Sequence, residues 1–154
     1  MSPLRLKRVL YDDLRAHAER AYPHECCGAL LGRFTRQGWQ VVSLAQATNL
    51  RAGLARDRYE IAPAELVGIM RDARRDGLEI AGFYHSHPDH PAQWSATDLS
   101  EAHWIGCLYV ITAVDKGHAA GTRAFLLAGT TEDDKRFEPC ELEIEDASPG
   151  SNMV

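Results

Sequence analysis

Several absences narrow the reading at once. No apolar run approaches the ~18 residues of a membrane span, and the start, Met1-Ser2-Pro3-Leu4-Arg5, leads into mixed charges and not into a signal-type apolar core. The expected setting is cytoplasmic, with no membrane partner. An excess of basic charge is missing too: 17 Lys and Arg stand against 22 Asp and Glu, a formal charge of -5, so nucleic acid is not an expected partner. Cysteine is sparse, and the four at 26, 27, 107 and 140 form no C-x-x-C pair. Adjacent Cys26 and Cys27 are an awkward start for a disulfide framework, so all four are expected as reduced, half-buried small side chains. No internal repeat is present. The low-complexity stretch is confined to the tail from Ala147, expected to be flexible over 147–154.

What remains is an ordinary globular composition, 45% hydrophobic and 25% charged over 154 residues, enough for one core and one domain, placed at 1–146. Leu10, Leu14, Ala18 and Ala21 recur at helical spacing from Val9 to Tyr22, where Pro23 closes the run. Cys26–Phe34 and Trp39–Leu44 read as a hairpin of strands around a Thr-Arg-Gln-Gly turn. After a polar loop over 45–57 and a short strand at Arg58–Ala62, Pro63 opens a second helix, with Leu66, Ile69, Met70 and Ala73 on one face and Gly77 as its stop. Leu78–His87 reads as a central strand, residues 88–94 as a loop, and Ser95 as the start of a third helix ending near Trp104 or Ile105. Cys107–Val114, Thr122–Ala128 and Phe137–Glu145 supply further strands, for about three helices and six or seven strands. The class is α/β or α+β: a single domain with a mixed, curved sheet flanked by about three helices.

The chemistry gathers in His85-Ser86-His87-Pro88 and Ser95-Ala96-Thr97-Asp98. Histidines at i and i+2 of a strand share a face, so both imidazoles can reach one ion. Asp98, eleven residues beyond His87, falls on the first turn of the next helix, and the loop can fold that turn back over the strand end. Two nitrogens and one oxygen make the ligand set of catalytic zinc, with the fourth position left for water. Each half has an ordinary reading as well. His-x-His occurs on plain polar strand faces, and S-x-x-D is a common helix cap. Their joint occurrence, and Asp98 serving both as cap and as ligand, is the more specific reading.

In these motifs the sequence resembles the JAMM (MPN+) metalloprotease family, whose pattern is an upstream Glu, then H-[ST]-H-P, then S-x-x-D. The phrase His24-Glu25-Cys26-Cys27-Gly28-Ala29-Leu30-Leu31-Gly32 is similar to one in short bacterial members, and the resemblance runs over roughly residues 5 to 145. It implies the cytidine-deaminase-like MPN fold. It also implies one Zn2+ per chain held by His85, His87 and Asp98, Glu25 bonded to the water on the metal, and Ser95 aiding the oxyanion. Taken alone, Glu25 is an unremarkable turn carboxylate. His24 and His90 fall outside the motif frame and are expected as solvated loop histidines, while Cys27 shares strand parity with Glu25. Gln93-Trp94 departs from the proline usual before this serine. Trp94 would then either face the cleft or pack the loop onto the third helix.

The activity implied is hydrolysis of the amide bond after the C-terminal glycine of a ubiquitin-like sulfur-carrier protein ending in Gly-Gly, for example to release newly made cysteine. Nothing in the sequence fixes the oligomeric state, and a homodimer is allowed. A non-catalytic MPN scaffold is the alternative, though such modules generally lack the ligands kept here. A zinc nucleobase deaminase would need H-x-E followed by P-C-x-x-C, and neither is present.

Overall fold

The computed structural model of the chain describes residues 2–55 and 57–146, so the tail assigned to 147–154 lies outside the described residues. The elements run β1 (Leu4–Lys7), α1 (Arg8–Ala21), β2 (Cys27–Thr35), β3 (Gly38–Ala47), α2 (Pro63–Arg75), β4 (Glu79–Pro88), α3 (Ala96–Glu101), β5 (Leu108–Asp115), β6 (His118–Ala128), β7 (Arg136–Cys140) and β8 (Leu142–Glu145). All eight strands join one mixed sheet in the order β7-β6-β5-β4-β2-β3-β1-β8. The pairs β1–β3, β1–β8 and β4–β5 are parallel and the others antiparallel. The mixed sheet with three helices is the α+β architecture expected. No helix among the described residues is long and apolar enough to cross a membrane.

Both faces of the sheet are covered. On one, Leu14 and Ala18 of α1 pack with Leu4, Leu6, Leu30, Tyr84 and Val110; on the other, Ile69 and Ala73 of α2 pack with Phe83, Tyr109, Ile111 and Phe125. The ends of α2 follow local chemistry. Pro63 occupies the first turn, where its missing N–H costs nothing. At the other end Gly77 takes φ +72°, its N–H donates to Arg74 O, and Leu78 N–H donates to Ala73 O, a Schellman ending that sends Leu78 into the core. The cysteines are free, with Cys26, Cys27 and Cys140 buried and Cys107 partly so.

Four expectations need correction. The four-residue strand β1 is missing from the sequence reading, since so short a piece running directly into α1 has no periodicity to detect. Residues 58–62 form no strand, because the polar contacts there run to Asn49 and to a single Leu50–Glu60 backbone bond and not to a ladder. The strand expected over Phe137–Glu145 is two strands, β7 on β6 and β8 on β1. Only Glu141 separates them, yet they stand at opposite ends of the strand order, so the sheet curls until its two edges meet. The third helix stops at Glu101, where Lys135 Nζ donates to the carbonyls of Ser100 (3.2 Å) and Ala102 (2.8 Å).

Gly82 fixes the spacing of β4 and β5. It pairs with Leu108, and a Cβ there would stand 1.8 Å from the Leu108 carbonyl oxygen, a backbone atom that cannot step aside. Gly82→Ala is therefore expected to destabilise the fold by at least ~2 kcal/mol in chemical denaturation. Gly121→Ala in β6, where nothing lies within 4 Å, should stay within about 0.5 kcal/mol of the parent.

Candidate metal centre

Strand β4 is flanked by β2 and β5, and its residues Ala81–Pro88 are all buried. Phe83 belongs to the α2 core and Tyr84 to the α1 core. The alternation therefore carries His85 and His87 to the α2 face and Ser86 to the other. The loop after Pro88 then brings α3 across the end of the strand. Ser95 is the N-cap of α3: its Oγ accepts from Asp98 N–H at 3.0 Å, while Asp98 Oδ2 accepts from Ser95 N–H at 2.9 Å.

The capping carboxylate meets both histidines. Asp98 Oδ2 lies 3.0 Å from His87 Nε2, Asp98 Oδ1 lies 3.3 Å from His85 Nε2, and the two Nε2 atoms are 3.2 Å apart. Ligands around a tetrahedral ion with bonds of about 2.0–2.1 Å stand about 3.3 Å from one another, so these three groups fit a zinc-sized ion with little movement. The Pro91 carbonyl, which can only accept, holds the proton on His87 Nδ1 at 2.8 Å, so that Nε2 is the nitrogen turned to the cluster and able to bind a metal in place of the proton it shares with Asp98. Among the described residues His85 Nδ1 has no such partner, and its ring instead lies stacked on Tyr59, centroids 4.6 Å apart and planes 25° from parallel.

Burial lowers the pKa of His85, outweighing the opposing pull of Asp98. At His87 burial acts the same way, but hydrogen bonds to Asp98 and to the Pro91 carbonyl outweigh it and raise the value. Burial also works against the Asp98 carboxylate, yet the two histidines hold it well below the usual carboxylate range. Glu25, just ahead of β2, is 3% exposed and its Oε1 has no hydrogen-bond partner among the described residues. Burial first, then the charges of Asp98, Asp57 and Glu101, push it up to about 9. A cation beside it favours the carboxylate form.

The structure brings together four of the residues singled out in the sequence, His85, His87, Ser95 and Asp98, and buries the fifth, Glu25, where the charge of Asp98 bears on it. Among the described residues, the groups placed to hold an ion are His85, His87 and Asp98, and Glu25 is not one of them. Cys27 pairs with His85 across the sheet, but its thiol faces the Ala47 carbonyl at 3.9 Å. His90 is exposed; His24 is half-buried, its Nδ1 accepting from Gly53 N–H. Trp94 packs on Phe137 of β7, centroids 5.6 Å apart, and so ties its loop to the sheet.

Three contributors have no role assigned by the sequence. Ser86 is fully buried, and its Oγ accepts from Cys26 N–H at 2.8 Å, fastening the residue next to Glu25 onto β4. Period-two geometry does turn Ser86 away from the histidines, but no pattern says what it meets there. Asn49 lies in the polar loop and Tyr59 in the stretch that suits a strand, and neither pattern names the group it meets.

Residues 7–128 match the family described as prokaryotic homologs of the JAB domain. The chain belongs to that family. It is similar to the desampylase of Haloferax volcanii, 34% identical over 118 residues that cover 74% of this chain and 83% of that one. It is also similar to a probable TtuB-protein conjugate cleaving protease of Thermus thermophilus, 36% identical over 126 residues, 80% of this chain and 76% of that one. Among solved structures, a protein from Desulfitobacterium hafniense aligns with a TM-score of 0.76 at 27% identity, covering 92% of this chain and 94% of its own. One from Salinibacter ruber aligns with a TM-score of 0.71 at 38% identity, covering 92% and 91%. As a JAB-family member related to these two proteases, the protein is a JAMM-type hydrolase, and the scaffold alternative gives way.

The Ser86 contact generates a test. Ser86→Ala leaves the buried Cys26 N–H without its acceptor and should cost ~1–3 kcal/mol in denaturant unfolding, with the loss undiminished when Glu25 is already Gln.

Proposed function

We propose that this JAB-family protein is a zinc-dependent peptidase or isopeptidase that cleaves the amide bond after the C-terminal glycine of a ubiquitin-like sulfur-carrier protein. The observation that carries the metal is the buried His85–His87–Asp98 cluster, whose ligand atoms already have the separations of a tetrahedral site. The names of the Haloferax and Thermus relatives support a ubiquitin-like conjugate as substrate.

His85 and His87 through Nε2 and Asp98 through its carboxylate would hold one zinc per chain. When bound, zinc supplies Lewis acidity, lowering the pKa of water from 15.7 to about 7 and polarising the scissile carbonyl. Glu25 takes a proton from the attacking water at its unpartnered Oε1 and passes it to the leaving amine. Ser95 Oγ already accepts from Asp98 N–H, so its own proton is available to the oxygen on which negative charge develops. Pro91 and the capping box keep His87 and Asp98 aligned throughout.

Metal analysis after zinc loading and dialysis should find about one zinc per chain, lost in His85→Ala, His87→Ala and Asp98→Ala. A wild-type protein that stays metal-free would sink the catalytic reading. Glu25→Gln should keep the zinc and the fold while losing ~10²–10⁴-fold in hydrolysis, because it removes the proton acceptor alone. Wild-type turnover in that variant would return Glu25 to a structural role.

Substrate choice follows from the compact fold: apart from residues 48–62, the connections between elements are seven residues or fewer and offer little surface for a second ubiquitin unit. A small carrier extended beyond Gly-Gly should be trimmed, and polyubiquitin cleaved poorly, when both are followed by intact mass. The reverse outcome would overturn this specificity and leave the hydrolase standing.

A further inference from the structure

The connection between β3 and α2 has no regular structure, yet one side chain organises it. Asn49 makes four hydrogen bonds, every one to backbone. Its Nδ2 donates to the carbonyls of Glu25 (2.9 Å) and Arg58 (3.2 Å), and its Oδ1 accepts from the N–H groups of Arg51 (2.9 Å) and Glu60 (3.0 Å). That is the full capacity of a carboxamide. The loop closes further through Leu50 N–H to the Glu60 carbonyl at 2.8 Å and an Arg51–Glu60 ion pair at 3.0 Å. Arg58 and Glu60 are the neighbours of Tyr59, so a single amide holds the backbone on both sides of the ring that lies on His85.

The two imidazoles are steadied by different means. His87 has the Pro91 carbonyl on its far nitrogen, the usual way of fixing a metal-binding ring. His85 meets Asp98 through Nε2 but has no hydrogen bond at Nδ1 among the described residues, and the χ2 torsion of an imidazole held at one nitrogen is broad. On its other side the rotation is limited by the face of Tyr59. We propose that Tyr59 and Asn49 are positioning residues for His85: the amide seats the ring, and the ring sets the plane of the imidazole. This rests on His85 being a metal ligand, as argued above. Through the Glu25 carbonyl the same amide also ties the segment carrying the proton acceptor to the segment carrying the ring.

The test reads zinc affinity by competition with a chromophoric chelator, with circular dichroism and melting of the metal-free proteins alongside. Tyr59→Leu and Asn49→Ala should each weaken zinc binding about tenfold or more, the range found for groups that orient metal ligands. Tyr59→Phe keeps the ring and should stay within about twofold of wild type, and Asn49→Ala combined with Tyr59→Leu should lose no more than Tyr59→Leu alone. A merely structural role would lower the melting temperature without moving the affinity of the folded protein. Should Asn49→Ala fail to fold, Asn49→Asp gives the same reading, since it keeps both accepting contacts and loses both donating ones.

Affinities unchanged in folded Tyr59→Leu and Asn49 variants, or full additivity in the double variant, would overturn the inference while leaving zinc hydrolysis intact. Failure of the wild-type protein to take up zinc would overturn both.

Discussion

A strand buried on both faces can carry polar side chains only where something meets them, and for the two histidines of β4 that something is the carboxylate of Asp98. Two imidazoles in the interior would be costly if unpaired. The carboxylate that receives them is itself fixed by the cap of α3, so the cap, the short helix and the loop from Pro88 to Trp94 are all ordered around one contact. Lys135 extends the arrangement, reaching from beyond β6 with its ammonium nearly buried to take the last carbonyls of α3. A six-residue helix has little stability of its own. Secured at its start by Ser95 and at its end by Lys135, it can hold a charged group at a set distance from the sheet.

The parts of the site legible in the sequence are those that depend on local periodicity. Period two places His85 and His87 on one face, and the helix-cap pattern places Asp98 on a first turn, so the meeting of these three side chains is legible once the loop between them folds back. The helices α1 and α2 are equally plain, because a face of apolar residues every three or four positions admits few other readings. What spacing does not reveal is contact between distant segments. Ser86 acquires its meaning from the Cys26 amide, sixty residues earlier, and Asn49 from carbonyls nine and twenty-four residues away. Glu25 is intermediate: unremarkable by itself, it stands out only through resemblance to a family, and burial then gives it its chemical character.

The errors in the fold reading have the same origin. The residues from Phe137 to Glu145 suit one strand or two, and the change of parity between Phe137 and Cys140, Leu142 and Ile144 is the one local sign of a break. Only the partners differ, β6 for the first half and β1 for the second. In the segment at Arg58–Ala62 the reverse holds: the residues suit a strand, but the hydrogen bonds there are taken by an asparagine side chain and one backbone contact.

The curl that brings β7 and β8 to either side of Glu141 also bears on how the molecule assembles. Leu4 pairs with Trp39 on one side and with Leu142 on the other. β1 therefore waits for β8, far later in the chain, before its second ladder can form. Contacts so far apart in sequence are slow to find, because a long stretch of chain must be closed before the pairing returns anything. Until then β1 exposes one unpaired edge, the kind of surface that strands of other molecules can join.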